Sequence, residues 1–349
     1  MPSARLVKLV SPLCVGCILF GACQTNEGTD TGLLADLKQM VGQELPRVEQ
    51  AQSVAETIQR DPEEAYRLVA TKLEERDLPD EAIMVYVWAL SEAKGAAAGE
   101  LILEQLPRVS DDNIRFEILN LLGQLQYAPA LPHTLEVLKK DPAKYYWQSI
   151  FVFTKMGDVA VPFLLEKIND PSVHIRGNSM MVLGNWLIPC EAAIPLQDRF
   201  WKEKDPRCRE LILGSLERTL PDLDELADFA ARAAQTEKNG DVRSFAQEVV
   251  DGKADMRAAV AEFRAEKKID PAVFSREYDK LYESWGRRGD MEVLAAASGP
   301  EDEAALEKLR ERILQRNSDE AFHDCQTVNG IIYMNRRMKS EMAKGAAAK

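Results

Sequence analysis

From Leu33 onward the apolar residues recur at helical intervals. Val161, Leu164, Leu165 and Ile168 fall at i, i+3, i+4 and i+7, and Ile114, Ile118, Leu121, Leu122 and Leu125 form a second stripe of the same kind. Such spacing lines up side chains along one side of an α-helix. No stretch sustains the period-two alternation of a half-buried strand, and the run Ile150-Phe151-Val152-Phe153 lies inside a longer helical pattern. The pattern predicts an all-α chain.

Helix starts are marked by Asp-Pro at Asp61-Pro62, Asp141-Pro142, Asp170-Pro171, Asp205-Pro206 and Asp270-Pro271. An aspartate accepts from the free amides of a first helical turn, and proline at the first position loses no bond by lacking N–H. From 141 to 170 is 29 residues and from 170 to 205 is 35; Pro132, Pro162 and Pro195 run in phase, 30 and 33 apart. Spacing of this size predicts an α-solenoid of stacked helix pairs over 33–250, each pair burying its apolar face on its neighbours. Asn239-Gly240 and Asp251-Gly252-Lys253 then interrupt the pattern as turns. Further helices are predicted at about 254–267, 271–286, 302–316 and 318–338, with a break at Ser298-Gly299-Pro300. They form a C-terminal helical extension, 251–349. Val273, Phe274, Tyr278, Leu281, Tyr282 and Trp285 give it a face able to cap the last repeat, and the end from Lys344 to Lys349 reads as frayed.

The first residues have a different pattern. Arg5 and Lys8 precede an apolar stretch from Leu9 to Phe20 and then Gly21-Ala22-Cys23. The stretch is too short for the ~20 residues of a spanning helix. A basic start, a short apolar core and small residues describe a secretory signal peptide, 1–22. Residues 23–32, polar and without periodicity, read as a short tether. Leu19-Phe20-Gly21-Ala22-Cys23 also resembles the bacterial lipobox, with Phe20 where the family prefers an aliphatic residue. That resemblance implies that Cys23 is acylated and becomes the mature N-terminus, and that Gln24 permits sorting to the outer membrane. Plain secretion with cleavage near Ala22 is the alternative.

Charge and chemistry narrow the function. The 349 residues carry 44 Lys+Arg against 57 Asp+Glu, a net charge of −13, and loss of residues 1–22 takes it to −15. Binding to nucleic acid is not expected, because affinity there comes from neutralising phosphates. There are three histidines, no H-E-x-x-H arrangement, no phosphate-cradling glycine loop and no G-x-S-x-G elbow. Neither metal nor cofactor is expected. His323-Asp324-Cys325 puts catalytic residue types together, but i and i+2 on a helix do not share a face. No catalytic residue is assigned. Cys14 and Cys17 leave with the signal peptide; of Cys190, Cys208 and Cys325, the first two are the most plausible bridge, with free thiols the equal alternative.

Asp170-Pro171-Ser172-Val173-His174-Ile175-Arg176, followed by Val182-Leu183-Gly184, resembles the HEAT-repeat pattern, in particular the subtype of the phycobilisome lyases. Asp112-Asn113-Ile114-Arg115 with Leu122-Gly123 is a looser copy, while Tyr145-Tyr146-Trp147 and Asp205-Pro206-Arg207-Cys208-Arg209 depart from it. The resemblance implies that Asp170 and Arg176 are structural, pairing with neighbouring repeats in a ladder. It also implies that second helices, about 142–156 and 171–187, line the binding side. In the latter helix Ile175, Val182, Leu183 and Trp186 fall on the core side by spacing, leaving Asn178, Met181 and Asn185 as candidate partner-binding residues.

The expected function is a lipid-anchored, cell-envelope interaction scaffold that binds a protein or peptide on its solenoid surface and the membrane through its N-terminal lipid. Alternatives are an enzyme related to HEAT-repeat chromophore lyases, resting on fold analogy, and a structural assembly factor for envelope complexes. If the lipobox reading holds, a fatty-acid analogue fed to expressing cells labels the wild-type protein, and Cys23→Ser abolishes the label and leaves unprocessed precursor. Label persisting in that variant overturns the assignment.

Overall fold

The computed structural model describes residues 29–41, 48–284, 288–314 and 319–347. Cys23 and the signal peptide lie outside these residues, as do Trp285 and the side chain of Tyr282. All regular elements among the described residues are helices, so the protein is all-α. They fall into two compact units that meet in sequence at Met156 and Gly157.

The first unit holds α1 (Thr29–Met40), α2 (Val48–Arg60), α3 (Pro62–Leu73), α4 (Asp80–Lys94), α5 (Gly99–Leu103), α6 (Asp112–Gln124), α7 (Leu131–Lys140) and α8 (Pro142–Met156). Consecutive helices pair, α3 with α4 and α7 with α8, and the second helices α4, α6 and α8 pack on one another in order. The α1 helix begins at Thr29, so the end of the stretch read as a tether, 29–32, is helical.

The second unit holds α9 (Val161–Lys167), α10 (Val173–Val182), α11 (Ala193–Lys202), α12 (Pro206–Thr219), α13 (Leu223–Thr236) and α14 (Gly240–Asp251). After them come α15 (Lys253–Glu266), α16 (Pro271–Ser284), α17 (Arg288–Ala297), α18 (Glu303–Leu314) and α19 (Asp319–Ala347). Again the second helices α10, α12 and α14 pack in sequence. The α10 helix runs on into a π-helical turn, Leu183–Leu187.

The Asp-Pro starts act as expected at four of five positions. Asp61 accepts from the amide of Glu64 (3.1 Å), Asp141 from Lys144 (3.1 Å), Asp205 from Cys208 (3.0 Å) and Asp270 from Ala272 (2.9 Å). Each removes one free amide from a first turn. At Asp170-Pro171 the aspartate accepts from Ser172 instead (2.8 Å), and the helix starts later, at Val173.

Two expectations about the C-terminal region change. The helices after residue 251 share a unit with 157–250, so the chain does not divide at 250. The cause is a shared core in which Ile188, at the end of the π-turn, packs with Leu281, Leu294, Leu306, Ile313, Val328 and Ile332. In addition, α17 stands where no helix was expected, and α19 continues helical to Ala347 rather than fraying from Lys344. Lys344 holds that end by ion pairs to Asp222 (2.6 Å) and Asp224 (2.7 Å).

Leu164 of α9 is fully buried. Leu164→Asp leaves an uncompensated charge there, which costs about 3–5 kcal/mol. Circular dichroism should show a helical wild type and a variant that melts markedly earlier; an unchanged melting temperature contradicts the packing.

Candidate functional site

The turn residues of the second unit form the ladder expected of Arg176, but with a different acid. The Arg176 guanidinium donates to Glu203 through Nε (2.7 Å) and Nη2 (2.8 Å), and through Nη1 to the carbonyls of Asp170 and Pro171, both at 3.0 Å. The carboxylate of Glu203 also accepts from the amides of Lys204 (2.8 Å) and Asp205 (2.9 Å) in its own turn. The next rung repeats the arrangement. Arg209 reaches back to the Glu203 carbonyl (2.8 Å) and forward to Glu237 (2.7 Å), which accepts from the Asn239 amide (2.8 Å). Each rung therefore ties a turn to itself and to the following one, while the Asp170 side chain serves only its own turn. The Glu203 side chain has no exposed surface. Burial alone would raise its carboxyl, but Arg176, the turn amides and Arg199 outweigh that and draw it from 4.5 to about 2.

The three residues assigned to partner binding are not on a free edge. Asn178 is fully buried, and Met181 and Asn185 are half-buried. Helical spacing separates a core side from a solvent side only where one side meets water, and along α10 Ile175 to Met180 and Val182 are all buried. The close approach of α12 needs Gly184, since a Cβ there would lie 2.0 Å from Ser215 Oγ. At Asn185 the cover is the C-terminal extension. Its carbonyl accepts from the side chains of Gln326 (3.0 Å) and Asn329 (3.3 Å).

That contact is part of a larger one. A helix ends with carbonyls that no later amide can satisfy. Here they receive donors from α18 and α19: Asn329 to Trp186 (3.1 Å), Arg310 to Leu187 (2.7 Å), and Arg336 to Ile188. Arg337 likewise donates to the Glu217 carbonyl in the last turn of α12. Guanidinium groups suit this place electrostatically, because helix C-termini carry partial negative charge. Ile188 has φ +44°, a left-handed conformation costly for a β-branched residue. Its amide to Leu183 (2.9 Å) and its carbonyl to Arg336 hold it there. No local signal marks these donors in the sequence: they lie more than a hundred residues from the carbonyls they serve.

Cys190 is exposed and Cys208 buried, and both are free, so of the two alternatives it is the free thiols that the structure has. Cys208 is held in the interior with its sulfur 3.7 Å from the Val173 carbonyl, and burial, aided by Glu203 and Asp205, pushes its thiol up to about 12. Burial likewise pushes Cys325 up to about 12, which suppresses the thiolate. The side chain of His323 lies outside the described residues. Among those residues no group of three His, Cys, Asp or Glu side chains is placed to hold a metal. In the first unit, burial lowers Lys155 of α8 against the attraction of Glu117 in α6, whose carboxyl is raised by burial in turn.

On α8 the aromatic run unlike the repeat pattern has two roles. Tyr145 is buried, stacks on Phe116 (4.8 Å between centroids) and donates to Asp112 (3.3 Å), joining neighbouring turns as the arginines do. Trp147 points away from that core, 55% exposed, with Tyr146 edge-on at 5.6 Å. Comparison with protein-family models, curated proteins and solved structures finds no match to this chain.

Glu203→Gln leaves Arg176 and Arg199 without a counter-charge and should cost about 3 kcal/mol at neutral pH. Because folding holds this carboxyl below its unfolded value, its contribution is present above pH 4.5 and is lost as pH falls toward about 2. Urea unfolding across that interval should give a wild-type slope that the glutamine variant flattens. Parallel pH profiles for the two proteins contradict the ladder's role.

Proposed function

We propose that the protein is a lipid-anchored α-solenoid of the bacterial cell envelope that binds a protein partner through the exposed side of α8. The observation that carries this reading is Trp147, a large aromatic side chain left 55% exposed on a helix whose opposite side is buried. A tryptophan with a second ring edge-on offers a rigid, amphipathic anchor, the kind of residue that dominates binding energy at interfaces. Of the two helices expected to form the binding side, the one at 171–187 is buried along most of its length and is met at its end by the C-terminal extension. The other, α8, keeps its outer residues Ala143, Lys144, Trp147 and Gln148 open to solvent. Lys144, three residues before Trp147 on the same exposed side of α8, adds a cation beside the anchor, so a partner offering an apolar pocket with an acidic rim suits it best.

A photo-crosslinking amino acid at position 147, in cells expressing the protein, should yield a discrete adduct identifiable by mass spectrometry. The same group at exposed Lys202 of α11 should not yield that adduct. Trp147→Ala should lower recovery of the partner at least tenfold without changing the melting temperature. Absence of a position-specific adduct, or equal recovery with alanine, overturns the proposal.

A further inference from the structure

The C-terminal helices border a cavity of about 560 Å³, within the size range of small-molecule sites. Its lining sorts into two kinds of side chain. Ile269, Pro300, Met338 and Met342 are apolar, while Arg264, Lys267 and Lys339 are cationic, with Glu301 the one acid among them. In a chain with thirteen more acids than bases, three cations against one acid is a local reversal.

The cations divide by what already holds them. Lys267 donates to the Ser298 carbonyl (2.8 Å) and hydroxyl (3.0 Å), which fixes the segment that carries Ile269. Burial lowers its amine to about 8, against the attraction of Asp302 and Glu301, so it stays mostly protonated at neutral pH. Arg264 and Lys339 differ: both are exposed, and neither side chain has an ion pair or hydrogen bond among the described residues. Elsewhere in the same unit cations are matched: Arg336 with Glu303 and Glu307, Arg257 with Asp224 and Glu341, Lys344 with Asp222 and Asp224.

The apolar part is unspent in the same sense. Met338 is buried at the inner wall, but Ile269 is 48% and Met342 44% exposed. Unbranched methionines adapt to a flexible chain more readily than branched residues do. The lining side chains offer three charged donor groups and one acceptor, which favours an acceptor-rich head over a peptide, whose amides also need acceptors.

We infer that this cavity binds a single-chain anionic amphiphile of the fatty-acid class. The carboxylate lies between Arg264 and Lys339, and the acyl chain lies along Met338, Met342 and Ile269.

The protein labelled with ¹³C at its methionine methyl groups tests this directly, with Met338→Leu and Met342→Leu to identify the two signals. Laurate below its micelle-forming concentration should shift those two methyls saturably and leave the other methionines in place. Arg264→Glu with Lys339→Glu should weaken binding at least tenfold at an unchanged melting temperature, since both side chains are exposed. Dodecanol, which has the chain without the charge, should bind at least tenfold more weakly than laurate. No shift with laurate, shifts spread over most methionines, or equal binding of dodecanol overturns the inference. So does binding to phosphatidylglycerol vesicles that depends on Arg264 and Lys339 when monomeric laurate has no effect, which would make the patch a membrane contact.

Discussion

Each time the chain turns from one helix to the next it strands amides and carbonyls that helical hydrogen bonding cannot reach. Leaving them buried and unpaired is prohibitive. Their satisfaction organises the second unit. Glu203 takes up two turn amides and the guanidinium of Arg176, and Glu237 does the same for Asn239 and Arg209. A carboxylate fixed by its own turn becomes a socket for the arginine of the preceding turn, so the spacing of helix pairs is set by polar bonds as well as by apolar contact. The first unit solves the same problem with different residues. Asp80 accepts from the amides of Ser110 (2.9 Å) and Asp111 (2.7 Å) in the next turn, and Arg108 donates to the carbonyls of Leu73 and Glu75.

This arrangement explains what could be read from the sequence. Asp-Pro at 61, 141, 205 and 270 marks helix starts because the capping bond is made within three residues, a local event. The arginine at 176 is legible as structural, but its acid is not. Glu203 lies 27 residues on, and nothing in Arg199-Phe200-Trp201-Lys202-Glu203 distinguishes it from a solvated charge. The all-α class follows from periodicity alone. The α17 helix escapes because its buried residues, Met291, Leu294 and Ala297, are few and begin beside Gly289.

The misplacement of Asn178, Met181 and Asn185 has a more general cause. Periodicity separates a helix into a more and a less apolar side, and a polar side is taken to face water. In α10 polar groups are buried among partners instead; Ser179, for example, donates to the Ile175 carbonyl at 2.9 Å. At Asn185 the cover comes from α19, more than a hundred residues away in sequence. In the aromatic run of α8 periodicity does not say which ring faces inward; the backbone puts Tyr145 inside and leaves Trp147 exposed.

The bonds that finish α10 come late in every sense. Ladder partners are separated by about thirty residues, whereas Gln326 and Asn185 are 141 apart and Arg336 and Ile188 are 148 apart. Closing loops of that length costs more entropy than closing one rung, and long-range contacts slow folding. During synthesis the rungs at 176 and 209 can form as their residues emerge, but the end of α10 stays uncapped until residues 310–336 have been made. A polypeptide ending before Arg310 would hold every residue of the rungs at 176 and 209, yet the carbonyls of Asn185 to Ile188 and the apolar seam around Ile188 would lack the groups that cover them.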